Sequence, residues 1–346
     1  MSDSGSTGSD STDVAAGPAD ALPIPASVII PCVRIEPLVI KCVRECRRCG
    51  PDVDIIVVSD DPDVDGQLDG QARVIVSGSQ TIGAKRNIGA NESAQDYLAF
   101  IDSDAFPETD WLRNAASHLA GDDTLGAVGG PNVSPPDEPL QELYAGNALR
   151  SVLVSAKGYY RKTVLPARYV VDLPSCNLIV RREEYLSTGG MNEALFTGED
   201  IDFCTRLVGR GRRILYTPDV LVYHKNRAFR GFVKQRLTYG ASVPRLIRRH
   251  SELRLAYVVA PAIFILFLAS IVLAVWMPDW AWIYGAVLVV YGITVLFEAV
   301  RVSHRTVEVP GTILALLIGN LVPGIGTILQ YLRLLPDLRG IYKNHE

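Results

Sequence analysis

Residues 97–106 read Tyr-Leu-Ala-Phe-Ile-Asp-Ser-Asp-Ala-Phe, an apolar run that closes on two carboxylates one residue apart. A strand rises about 3.3 Å per residue and alternates faces, which would bring Asp102 and Asp104 to one side of its end. Two hard oxygen ligands there suit Mg2+ or Mn2+ held against a diphosphate. Asp and Ser are also ordinary turn formers after strands, so the triplet alone reads either as a metal site or as a turn.

A second acidic constellation follows, Thr197-Gly-Glu-Asp-Ile-Asp-Phe-Cys-Thr-Arg206. Its acids fall in what reads as the first turn of a helix, where the macrodipole favours negative charge. Asp202 and Arg206 are spaced i, i+4 and can pair. The bland alternative is a capped helix with a surface ion pair. The chemical alternative needs one carboxylate at a cleft edge, acting as a general base on an acceptor hydroxyl.

Two other patterns are decoys. Cys42, Cys46 and Cys49 have the spacing of an iron–sulfur site, but they also form one stripe of a helix, where small buried thiols explain them. Gly78-Ser-Gln-Thr-Ile-Gly-Ala-Lys-Arg86 is similar to a phosphate-binding loop, yet an extra residue precedes Lys85 and no Ser or Thr follows. A cytoplasmic domain would keep all six cysteines reduced.

The elements that must position these residues recur in order. Short apolar runs at 28–30, 55–58, 74–76, 98–101, 126–128, 178–180 and 214–216 read as strands. Helical segments at 36–48, 84–96, 109–120 and 199–210 lie between several of them. Alternation of this kind predicts an α/β layer with a mainly parallel sheet, in which ligands bind beyond the carboxyl ends of strands.

The chain has 346 residues and a net charge of −4. Residues 1–26, rich in Ser, Asp, Gly, Ala and Pro, read as a disordered acidic tail without the features of a signal peptide. Without a basic, aromatic-interleaved stripe in the soluble part, nucleic acid is not an expected partner. Apolar segments at 257–276, 281–300 and 309–332 are each long enough to span about 30 Å of hydrocarbon. In the third, Pro310, Gly319, Pro323, Gly324 and Gly326 are expected to interrupt the run, leaving open a full crossing or a re-entrant segment. Arg245, Arg248, Arg249 and Arg254 before the first span, with Arg301 and Arg305 after the second, predict a multi-pass cell-membrane protein whose N-terminal domain is cytoplasmic. The expected domains are the tail at 1–26, a catalytic domain at 27–226, an amphipathic juxtamembrane segment at 227–256, a membrane domain at 257–335 and a C-terminal tail at 336–346.

Taken in order, Ser27-Val-Ile-Ile-Pro31, Asp54-Ile-Ile-Val-Val-Ser-Asp-Asp61, Gly83-Ala-Lys-Arg-Asn-Ile-Gly89, Leu98-Ala-Phe-Ile-Asp-Ser-Asp104, Gly189-Gly-Met-Asn-Glu193, Gly198-Glu-Asp-Ile-Asp202 and Val222-Tyr-His224 form a set. The set resembles the family 2 glycosyltransferases, inverting enzymes with the GT-A fold, a Rossmann-like nucleotide-diphospho-sugar transferase domain. The resemblance covers about residues 27–240. It implies that Pro31 borders the nucleotide, that Asp60 or Asp61 meets the base, and that Arg86 lies near the phosphates. It further implies that Asp102 approaches the donor and the metal, and that Asp104 ligates Mg2+ or Mn2+. His224 ends a strand-like run and reads either as a further metal or phosphate contact or as a structural histidine. Asp200 is implied as the base with Glu199 beside it, and Gly190, Met191 and Asn192 as lining the acceptor side.

Cys32-Val-Arg34 stands where the family usually has Tyr-Asn, and Lys234-Gln-Arg-Leu-Thr-Tyr239 stands in place of the Gln-x-x-Arg-Trp of processive synthases. The second departure argues for addition of a single sugar, with Gln235 and Arg236 as candidate donor contacts or as part of a structural interfacial helix. The resulting expectation is a metal-dependent transferase that moves one sugar from a UDP- or GDP-linked donor to a lipid-linked acceptor. The acceptor would be a polyprenyl (dolichyl) phosphate or a saccharide already on such a carrier, in protein N-glycosylation or cell-surface glycan assembly. The rivals are a polyprenyl-phosphate hexose synthase and, in another class, a non-catalytic membrane subunit that handles glycolipids.

Overall fold

The computed structural model describes residues 24–63, 66–195, 197–249 and 254–334. The expected acidic tail therefore lies outside the described residues except for 24–26, and the expected C-terminal tail lies wholly outside them. The chain begins with β1 (Ala26–Pro31), α1 (Pro37–Arg48), β2 (Asp54–Ser59), β3 (Arg73–Val76), α2 (Ile82–Glu92), β4 (Tyr97–Phe100) and β5 (Ala105–Pro107). It continues through α3 (Trp111–Gly121), β6 (Leu125–Gly129), β7 (Asn132–Val133), α4 (Leu140–Arg150), α5 (Val152–Ser155), β8 (Arg168–Val170), β9 (Leu178–Arg181) and α6 (Arg182–Ser187). Next come α7 (Glu199–Gly209), β10 (Arg213–Tyr216), β11 (Val222–His224) and α8 (Phe229–Arg249). Three long helices close it: α9 (Arg254–Trp276), α10 (Ala281–Val302) and α11 (Val309–Tyr331).

The main sheet has the order β3-β2-β1-β4-β9-β6-β10-β8, with β3 to β4 parallel and β9 antiparallel to both neighbours. Every residue of β1 is buried, as expected of a central strand covered by helices on both faces. Its partners share that pattern, and this is why the strands read as continuous apolar runs. Pro37 opens α1, where a missing N–H costs nothing, and the stripe Val39, Cys42, Val43 and Cys46 packs on the sheet. The cysteine spacing is thus a packing stripe, and all six thiols are free and buried.

A small second sheet, β5-β11-β7, sits beside the end of β4. Register in it pairs His224 with Ala105, so the end of β11 lies against the residues that follow β4.

The C-terminal helices pack on the α/β domain. Among the described residues, Ala281–Val302 and Thr306–Tyr331 are long and apolar enough to cross a membrane, while the apolar stretch Phe264–Trp276 of α9 is shorter. The third segment is not interrupted. Pro310 occupies the first turn of α11, where proline is tolerated, and Pro323 sits inside a continuous helix. Two of the glycines read as breakers, Gly319 and Gly326, serve contact instead. A Cβ on Gly326 would collide with the Leu237 carbonyl of α8, and one on Gly319 would lie 2.6 Å from Val154 Cγ2.

Candidate active site

Strand β4 ends at Phe100, so Asp102 and Asp104 occupy a turn rather than alternate positions of a strand. Ala105 N–H closes the turn on Asp102 O at 3.0 Å, and Lys225 N–H reaches Asp104 O at 3.1 Å. The two carboxylates meet at His224, not through strand alternation. His224 Nε2 lies 3.2 Å from Asp104 Oδ1 and 3.8 Å from Asp102 Oδ2. Burial pushes the Asp104 carboxyl up, but the His224 and Arg227 charges outweigh it and hold the group at about 2. Asp104 is therefore ionised at neutral pH.

Arg86, on α2, is buried without standing open to a phosphate. Its Nη2 donates to Asp102 Oδ1 at 2.6 Å and its Nη1 to Glu199 Oε1 at 2.8 Å. A buried guanidinium is costly unless its fork is matched, and two carboxylates match it here. Burial works against the charge, yet Asp102, Glu199 and Asp200 raise its pKa further. Thr81 caps this helix by accepting from Ala84 N–H at 3.2 Å, which fixes the turn that carries Arg86.

On the opposite side, α7 begins after Gly198, whose φ of +83° favours glycine. Glu199 and Asp200 fall in its first turn. Burial first, and the Asp200 charge next, push the Glu199 carboxyl up to about 7. Asp200 is also raised by burial, with Arg161 and Arg86 opposing the shift. Its Oδ2 accepts from Ser175 N–H at 3.3 Å and its Oδ1 from Ile201 N–H at 2.8 Å. Asp202 is fully buried and bonds Arg206 Nε at 2.9 Å, so the expected i, i+4 pair is internal to α7.

The other sequence candidates divide. Asp60 pairs with Lys85, which also donates to Cys32 O, whereas Asp61 pairs with Arg34 in an exposed bridge at 3.5 Å. Asp60 is therefore the member that faces the end of β1, where buried Pro31 closes the strand. Gly190 has a φ of +66°, and a Cβ there would press on Asn87 Oδ1 at 2.5 Å. Asn87 clamps this turn, accepting from Met191 N–H and donating to Met191 O, both at 2.8 Å. Met191 itself is buried in the core, while Asn192 is half-buried beside Gly83. Gln235 and Arg236 lie on α8, with Arg236 over the Tyr239 ring at 5.7 Å. Among the described residues, neither bonds the acidic cluster.

Three residues were not singled out in the sequence. Lys162 Nζ lies 3.3 Å from His224 Nδ1, Arg161 pairs with Asp172, and Cys176 is buried beside Asp102 and His224. No local pattern marks them, because the helical turns that carry them, Ala156–Lys162 and Ser175–Asn177, meet the rest of the site only in the folded chain.

Asp104 Oδ1 and Asp102 Oδ2 each approach His224 Nε2, at 3.2 and 3.8 Å. Carboxylate oxygens suit Mg2+ or Mn2+, while the imidazole is a ligand that Mn2+ accepts more readily than Mg2+.

Residues 27–186 match the model of Glycosyl transferase family 2. A pre-mycofactocin glycosyltransferase of Mycobacterium tuberculosis is 33% identical over 170 residues, covering 49% of this chain and 35% of its own length. The chain thus spans about a third of that relative. A Methanococcus voltae protein, dolichyl N-acetyl-alpha-D-glucosaminyl phosphate 3-beta-D-2,3-diacetamido-2,3-dideoxy-beta-D-glucuronosyltransferase, is 22% identical over 235 residues, covering 64% of this chain and 66% of its own. The crystal structure of GalNAc-T7 with UDP, GalNAc and Mn2+ aligns with a TM-score of 0.46 at 14% identity, covering 59% of this chain and 44% of the other. The mixed α/β layer anticipated from the alternation of strands and helices, GT-A-like as the resemblance implied, carries the ordered motifs. Residues 27–186 of this chain are a glycosyl transferase family 2 domain.

Proposed function

We propose that the protein is a metal-dependent, inverting glycosyltransferase that moves one sugar from a nucleotide-sugar to a lipid-linked acceptor at the cytoplasmic face of a membrane. The observation that carries this reading is the Arg86 fork. One buried guanidinium joins the turn that offers Asp102 and Asp104 to the helix that offers Glu199 and Asp200. A leaving-group site and a base are thereby held at a fixed separation, as orientation-based catalysis requires.

Asp102, Asp104 and His224 would hold Mg2+ or Mn2+, which when bound neutralises charge developing on a departing diphosphate. Asp60, fixed by Lys85 at the end of β1, would border the nucleotide, with Pro31 behind it. Gln235 and Arg236 on α8 are the candidate cover over the pyrophosphate. Asp200 would take the acceptor proton. Glu199 is committed to Arg86, while Asp200 is oriented by two backbone N–H groups and made more basic by burial. Gly190 and Asn192 would form the acceptor wall, with buried Met191 supporting them from behind.

A lipid-borne acceptor is supported by how the membrane-side helices meet this site. Thr197, two residues before Glu199, hydrogen-bonds Ser242 of α8, and α8 packs on α11 through Gly240 and Gly326. The helix that meets the apolar bundle therefore also meets the base-bearing loop. The Methanococcus voltae relative carries a dolichyl-linked acceptor in its name, in keeping with this reading. Supplying purified protein with UDP- and GDP-sugars and either bare polyprenyl phosphate or a lipid-linked saccharide tests the assignment. Transfer to the saccharide supports it. Transfer to bare phosphate alone would make the protein a polyprenyl-phosphate hexose synthase, and transfer to neither acceptor from any donor would favour a non-catalytic role.

A further inference from the structure

The corner of the site behind Asp102 holds a group that sugar transfer does not use. Cys176 Sγ, an Asp102 carboxylate oxygen and a His224 ring nitrogen all lie within 4.8 Å of one another. The thiol sits on a short turn, Ser175–Asn177, that is fixed on both sides. Ser175 N–H bonds Asp200 at 3.3 Å, and Asn177 Nδ2 donates to Val220 O at 2.8 Å. Trp111 Nε1 donates to Asn177 Oδ1 at 2.8 Å. Asp102 is fixed as well, because Arg86 occupies its Oδ1 and leaves Oδ2 towards His224. Two other buried thiols differ: Cys42 and Cys204 turn to backbone carbonyls, at 3.5 and 3.8 Å.

One thiolate, one imidazole and one carboxylate make a borderline-soft set of three protein ligands, the kind of set that takes zinc. We propose that Cys176, Asp102 and His224 form a three-point site for a thiophilic divalent cation, Zn2+ or Co2+, which displaces the Mg2+ or Mn2+ that Asp104 would help to hold. As the metal–sulfur bond forms, the thiol proton passes to solvent and no electron is transferred. Zinc then becomes an inhibitor that shares Asp102 and His224 with the hard cation. The inference concerns metal binding alone, so its test needs neither a sugar donor nor an acceptor.

The experiment is a Co2+ titration of the full-length protein, followed by near-ultraviolet absorption. A sulfur-to-cobalt charge-transfer band should grow to saturation at one equivalent and be bleached by Zn2+. The band should vanish in Cys176→Ser and in His224→Ala, and persist in Cys204→Ser. X-ray absorption of the Zn2+-loaded wild-type protein should show one sulfur at about 2.3 Å, a result that does not depend on any variant folding. A wild-type protein without the band, a zinc shell without sulfur, or a band of undiminished intensity in folded Cys176→Ser overturns the proposal.

Discussion

Arg86 Nη2 stands 2.6 Å from Asp102 Oδ1, in an ion pair whose cationic partner is only 2% exposed. The second arm of the same guanidinium holds Glu199, so the pair ties α2, the β4–β5 turn and α7 into one unit. Removing one partner of a buried ion pair leaves an uncompensated charge and costs about 3–5 kcal/mol. Arg86→Ala should therefore lower stability by that order, measured by thermal unfolding. Arg86→Lys should recover only part of it, since a point charge cannot match two carboxylates through a planar fork. Equal stability of wild type and Arg86→Ala would remove the unit.

Glu199 gives stability a sign against pH. Its carboxyl is pushed up to about 7 in the fold from an ordinary value of 4.5, by burial and by the Asp200 charge. The folded state thus binds this proton more tightly than the unfolded state. The contribution is fully present below the ordinary value and is lost as pH rises through about 7. Unfolding temperature should fall across that window in the wild type and stay flatter in Glu199→Gln, which remains neutral. Parallel curves for the two proteins would contradict the assignment.

Asp104 and His224 should act together on divalent-ion affinity. Losing either should weaken Mn2+ binding in the presence of a nucleoside diphosphate by about tenfold or more, as for metal-site partners generally. Calorimetric titration of Asp104→Ala and His224→Ala reads this. Asp61→Asn, at the exposed Arg34 pair, should leave the affinity unchanged.

Close approach of α8 and α11 depends on glycine. A Cβ on Gly240 would collide with the Pro323 carbonyl, a backbone atom that cannot swing aside. Gly240→Ala should destabilise the junction by about 1–3 kcal/mol through overpacking. Gly285→Ala on α10, with nothing within 4 Å of the new Cβ, should stay within about 0.5 kcal/mol of wild type. Thermal unfolding of the two variants side by side decides it.

The sheet was legible because its strands are buried on both faces and read as unbroken apolar runs, β1 and β2 most clearly. The acidic motifs were legible because each is local, a turn or a first helical turn. The link between them was not. Arg86 lies on a helix without an apolar stripe, and its two partners are 16 and 113 residues away. Cys176 and Lys162 escaped for the same reason, since both sit on short helical turns, and Lys162 meets His224 across 62 residues of chain. The glycines of α11 misled in the other direction. Read as breaks in a span, Gly319 and Gly326 are points of contact with α5 and α8, visible only once those elements are in place.

The central claim is that Asp102, Asp104 and His224 serve the donor diphosphate while Asp200 serves the acceptor. The most direct measurement incubates membranes carrying wild type, Asp104→Ala or Asp200→Asn with radiolabelled nucleotide-sugars and counts label in the lipid extract. Wild type should transfer label only with a divalent ion present. Asp104→Ala should lose that metal-dependent transfer. Asp200→Asn should fall by about 10²–10⁴-fold, the usual worth of a general base, while still binding donor. Transfer by Asp200→Asn at the wild-type rate would contradict the account.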